Sequence, residues 1–112
     1  MTAGQFRRLA LELPGARESA HHRHPDFRVG NRIFATLAYP NPKFGMVRLT
    51  PAQQAEVVGL APEMFQLVVG AWGRSGSTLV QLSAARVTAL RPVLRQAYDN
   101  FAAPGKRSSR RS

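Results

Sequence analysis

The sequence predicts an α+β fold: an antiparallel sheet of hairpin-linked strands with helices packed mainly on one side. Three observations lead there. Apolar residues recur at helical spacing near both ends of the 112 residues. Between them, runs rich in Phe, Val, Ile and Thr flank a Gly30-Asn31 pair, which suits a tight hairpin turn. In the middle, Thr50-Pro51-Ala52-Gln53 has the composition of a helix start.

The elements follow in order. Phe6, Leu9, Ala10 and Leu13 share one helical stripe, so residues 3–13 form an amphipathic helix, with Thr2 as cap and Pro14-Gly15 as stop. Residues 16–24 are polar and ambiguous, at most an irregular strand. Asp26–Val29 and Arg32–Tyr39 form two strands around Gly30-Asn31, Pro40-Asn41-Pro42 forces a second turn, and Phe44–Leu49 makes a third strand. Thr50 caps a helix that runs to Val58 and stops at Gly59, with Pro51 at its first position and Gln53 reaching back. Pro62–Phe65 makes a short turn, Gln66–Val69 a short strand, and Trp72–Gly76 a glycine-rich connection to a strand at Ser77–Leu82. A last helix buries Leu90, Val93, Leu94, Ala97, Tyr98 and Phe101; Pro92 argues for a start near Thr88, since proline is tolerated only in the first turn. The order is α-β(3)-α-β(2)-α. A single domain spans 1–103, and the polar tail 104–112 is expected to be disordered.

Composition narrows the function classes. Hydrophobic residues make up 44%, enough for a core at this length. Cysteine is absent, which removes disulfides, thiol nucleophiles and thiolate metal sites. No apolar run approaches the roughly 20 residues needed to span a bilayer, and Arg7, Arg8 and Glu12 interrupt any signal-peptide centre. A cytoplasmic protein is expected. Charge is the strongest signal: sixteen Lys and Arg against six acids give +10, with Arg outnumbering Lys fourteen to two. Lys106, Arg107, Arg110 and Arg111 lie in the tail, yet the remaining twelve basic residues still face only six acids. Such a balance suits nucleic acid or another polyanion, and arginine's planar fork suits phosphate.

Candidate sites follow from spacing. A two-residue turn pairs Arg28 with Ile33 and Phe27 with Phe34. That places Phe27, Val29, Phe34 and Ala38 on one face and Arg28, Ile33, Leu37 and Tyr39 on the other. Neither face is purely polar, so either both are partly covered or one offers an apolar, basic surface to a partner. Arg28, Arg32, Lys43 and Arg48 cluster in the three-stranded region, either as phosphate contacts or as edge charges that block strand pairing. His21, His22 and His24 suggest a metal, but on a strand His21 points away from the other two and only Asp26 is near enough to join them; surface histidines are the expectation. In Gly73-Arg74-Ser75-Gly76-Ser77-Thr78 the spacing fits neither a nucleophile elbow nor a phosphate-binding Walker loop, although Arg74 and the backbone near Gly73 and Gly76 suit an anion. The six acids make no carboxylate pair for acid–base work.

Phe27, Val29, Ile33, Phe34 and Ala35, then Pro51, then Trp72-Gly73-x-x-Gly76-x-Thr78 together resemble the MmcQ/YjbR family, over roughly Phe6 to Phe101. The resemblance implies the α-β(3)-α-β(2)-α architecture, similar to the secretion-chaperone-like fold, and a small bacterial protein of a kind commonly described as DNA-binding. It brings no catalytic motif and no cofactor. Asn31 and Arg32 stand where glycine and lysine are frequent in the family, and Ser77 where an aromatic residue is frequent. The resulting expectation is a monomeric, non-enzymatic module that contacts double-stranded DNA through Arg28, Arg32, Lys43 and Arg48, helped by Arg74 and the tail cations Lys106, Arg107, Arg110 and Arg111. The alternative is a protein-interaction domain that uses its sheet face.

Overall fold

A computed structural model of the chain describes residues 1–102; the tail and its four cations lie outside the described residues. The first helix, α1 (Ala3–Leu11), is closed at its start by a full capping box: the Thr2 hydroxyl accepts from Gln5 N at 3.1 Å, and the Gln5 side-chain carbonyl accepts from Thr2 N at 2.8 Å. Four strands follow: β1 (Arg17–His21), β2 (His24–Val29), β3 (Arg32–Leu37) and β4 (Phe44–Arg48). Next come α2 (Pro51–Leu60), β5 (Phe65–Leu67), the one-turn α3 (Ala71–Arg74) and β6 (Ser77–Gln81). A 3-10 turn at Leu82–Ala84 leads into α4 (Val87–Ala102). All pairings are antiparallel, in the order β1-β2-β3-β4-β6-β5. The α+β class and the antiparallel sheet stand as expected, and the polar segment 16–24 supplies an additional edge strand.

That strand had no apolar alternation to announce it, because β1 covers nothing large: four of its five residues are exposed. Its turn was equally silent. His22 and Arg23 both sit in the left-handed region, at φ 49° and 68°, where Gly or Asn is usual. The β2–β3 turn uses the expected pair, Gly30 and Asn31, at φ 56° and 69°.

Register differs from expectation at one residue. Arg28 pairs with Ile33 as predicted, but Phe27 pairs with Ala35, leaving Phe34 as the extra residue of a β-bulge. Phe34 and Ala35 therefore both face the main core, and every later residue of β3 changes sides: Leu37 turns inward and Thr36 outward. Burial of Leu37 contributes about 2 kcal/mol, more than the roughly 1 kcal/mol of one disrupted ladder hydrogen bond.

The core lies between one sheet face and α1, α2 and α4. Phe6, Phe27, Phe34, Met64, Leu90 and Leu94 are fully buried there. Helix α2 begins with the predicted box, the Thr50 hydroxyl accepting from Gln53 N at 3.1 Å, and continues through Gly59 to Leu60. Helix α4 starts at Val87, so Pro92 falls in its second turn, where its ring nitrogen withholds a helical hydrogen bond.

Candidate functional site

Among the described residues the opposite face of the sheet has no helical layer of comparable size. A small apolar cluster, Met46, Val68 and Leu79 with Tyr39 and Phe44, covers its β4–β6 side. Beside it lies a concave recess of about 370 Å³, lined by His21, His22, Ile33, Thr36, Met46, Arg48, Trp72, Ser75 and Ser77. Strand-borne residues make the floor because β3, β4 and β6 each turn alternate residues outward. The chain from α3 into β6 makes one wall.

Glycine lets that wall close on the sheet. A Cβ on Gly73 would stand 1.7 Å from the carbonyl oxygen of Val68, so no other residue fits there. Gln54 of α2, 4% exposed, donates to the carbonyls of Gly73 at 2.9 Å and Ser77 at 3.0 Å, tying the segment to the helical layer. Sequence reading missed Gln54, although a polar residue on the inward stripe with Val57 and Ala61 was a legible signal.

A continuous line of rings borders the recess. Neighbouring centroids are 5.8 Å apart for His22 and His21, 6.2 Å for His21 and His24, 5.6 Å for His24 and Tyr39, and 6.2 Å for Tyr39 and Trp72. Trp72 remains 60% exposed, which is unusual for so large an apolar surface. The histidines do not share a strand face in the expected way. The turn at His22-Arg23 makes His21 and His24 cross-strand partners, and among the described residues no group of three His, Asp or Glu could hold a metal ion.

Beneath the rings sits Asp26, fully buried on β2. Arg28 donates to it twice, at 2.7 and 3.1 Å, and His21 Nδ1 lies 2.8 Å from its second oxygen. Burial pushes the Asp26 carboxyl up, but hydrogen bonds from Arg28 and His21, together with their charges, outweigh it and hold the group below its usual range. The same hydrogen bond raises Arg28. Asp26 faces Thr36 across the β2–β3 ladder; Thr36 is 1% exposed, and its hydroxyl has no hydrogen-bond partner among the described residues.

The expected cations separate into distinct settings. Arg28 is engaged with Asp26 and only partly open to solvent. Arg32 and Arg48 stack over the Phe101 ring, at 5.0 and 5.4 Å, and form a pair at one end of the sheet. Lys43 precedes the far end of β4, in a groove with Met1, Pro42 and Ser83, and does not join them. Arg74 stands on α3, two residues from Trp72.

Ion pairing is uneven across the molecule. Arg7, Arg86, Arg91 and Arg95 pair with Glu18, Glu63, Glu12 and Asp99, all on or beside the helical layer. Among the described residues the acid at the open face is Asp26, already neutralised by its partners. Arg17, aligned with Arg28 and hydrogen-bonded to the Asn31 side chain, has no carboxylate partner among the described residues, and neither do Arg23, Arg32, Arg48 and Arg74. Arg48 lines the open face, Arg74 stands on its wall, Arg17 lies beside Arg28, and Arg32 lies at the end of the sheet over Phe101 of α4. Arg8 on α1 also has no carboxylate partner among the described residues.

Comparison with known proteins adds two findings. The family model of YjbR matches residues 11–100. The fold is similar to that of the crystal structure of Deinococcus radiodurans protein DR2400, a DUF419 domain: the TM-score is 0.74 and the identity 18%, over 98% of this chain and 86% of that one. No curated protein sequence matches significantly.

Proposed function

The chain belongs to the YjbR family, and from that premise we propose that it is a binding module, not an enzyme, that holds double-stranded DNA against its open sheet face. One observation carries the reading: Arg48 lines the open face, Arg74 stands on its wall, Arg17 sits beside Arg28 and Arg32 at its end, none of them with a carboxylate partner among the described residues, whereas four of the five arginines on or beside α1 and α4 are ion-paired. Arg17, Arg32, Arg48 and Arg74 are the phosphate contacts. Stacking on Phe101 holds Arg32 and Arg48 in place before DNA arrives, which lowers the ordering cost of contact. Arg28 is left out, because Asp26 already cancels its charge.

The test is duplex binding against salt, using the full chain and a chain ending at Ala103. Four phosphate contacts give a slope of log K against log salt of about −4. Arg48→Gln and Arg32→Gln each reduce the slope by about 1, while Lys43→Gln leaves it unchanged. If binding disappears once the tail is removed, the sheet face is not the DNA surface. A second reading has its own observation: Leu60, Leu67 and Val69 are 80%, 48% and 94% exposed near the β5 edge. There a protein partner or a second copy would add to the sheet, and a mass that rises with concentration would support that reading.

A further inference from the structure

We propose that the recess on the open face binds one unpaired nucleotide, with its base against Trp72 and its phosphate toward Arg48. The proposal rests on the nucleic-acid reading of this face and takes it further, since an intact duplex keeps its bases stacked and offers none to a pocket. At about 370 Å³ the recess falls within the range of small-molecule sites, roughly 300–1,000 Å³.

Its lining divides by chemistry into what a nucleotide carries. Trp72, Ile33 and Met46 provide apolar and aromatic surface for a planar ring. More than half of the Trp72 surface is open, and the Tyr39 ring, 6.2 Å away at 43°, braces it. Arg48 supplies the cation, with no carboxylate partner among the described residues, and Ser75 and Ser77 add hydroxyls beside it. The acid under the floor does not repel a phosphate, because Arg28 and His21 both bind it. The decisive residue is Thr36. Its hydroxyl is buried and unpartnered at the base of the recess. Buried hydroxyls without a partner are rare because each costs free energy; a hydrogen bond to the edge of a base would satisfy this one.

Trp72 is the single tryptophan of the chain and forms part of the wall, so its fluorescence reports occupancy directly. The full chain is titrated with thymidine 5′-monophosphate, a single-stranded oligo(dT), a blunt duplex and benzoate. Saturable quenching by the mononucleotide or by oligo(dT) is the expected result, and which of the two binds tighter distinguishes a free nucleotide from one within a strand. Thr36→Val, which keeps the shape, weakens that binding about tenfold, the size of one lost hydrogen bond. The same variant unfolds at a higher temperature than the parent, and Thr36→Ser restores affinity. No saturable quenching by either ligand while the duplex still binds overturns the pocket and leaves the DNA surface standing; if the duplex also fails, the reading of the face falls with it. Equal quenching by benzoate overturns the nucleotide assignment, and unchanged affinity in Thr36→Val overturns the role of the floor.

Discussion

Gly76→Ala is expected to destabilise the fold by about 4 kcal/mol or more, a large part of the 5–15 kcal/mol typical of a domain. Gly76 has φ +115°, a conformation that side chains rarely adopt. A Cβ there would stand 1.9 Å from the carbonyl oxygen of Leu49 and 2.8 Å from its carbon, so the clash is with backbone and no rotamer relieves it. The contact is also a junction. Gly76 O accepts from Leu49 N at 3.3 Å and from the Thr78 hydroxyl at 2.8 Å, and its N–H donates to Gly73 O at 3.1 Å. Moving Gly76 therefore shifts the start of β6, the end of β4 and the cap of α2 together. Gly59→Ala is the control: Gly59 lies on the exposed side of α2, a Cβ there would meet nothing within 4 Å, and alanine should stabilise by roughly 0.5–1 kcal/mol. Urea denaturation of both variants decides the matter, and a Gly76→Ala protein within about 1 kcal/mol of the parent would refute the junction.

Asp26→Asn is expected to cost about 3 kcal/mol, because it removes one partner of a buried ion pair and leaves Arg28 uncompensated. The pH dependence identifies the cause. The Asp26 carboxyl titrates lower in the folded chain than in the unfolded one. Its contribution is therefore complete above the unfolded value, about 4, and is lost as pH falls through the lower folded value. The stability difference between parent and Asp26→Asn should shrink as pH falls below about 4. Contributions common to both proteins cancel in the difference. Urea midpoints across pH for the two proteins measure it, and parallel curves would show that the ion pair does not supply the stability.

Much of the fold was legible because its signals are local. The Thr50 and Thr2 caps need only a residue three positions on. The Gly30-Asn31 turn needs only two residues with positive φ. Helix α4 declares itself through one apolar stripe, from Leu90 to Tyr98. The candidate site was less legible. Arg48, Arg32 and Arg74 can be picked out by charge, but Lys43 looks equivalent to them in sequence and stands at the other end of β4. Arg28 looks available in sequence and is bound to Asp26, whose carboxylate reads there only as a neighbour of histidines.

By itself the sequence determined the α+β class, the helix starts, the central hairpin and the family-bearing glycines, since these depend on propensity, caps and turns within a few residues. Only the tertiary structure decided which residues share a face. A bulge at Phe34 reverses every later side chain of β3, a turn of His22 and Arg23 folds a polar segment into an edge strand, and β4 finds β6 across α2, β5 and α3. Each of these turns on free energy gained by contacts far apart in the chain, such as Leu37 entering the core or Gly76 meeting Leu49, and no local pattern records them.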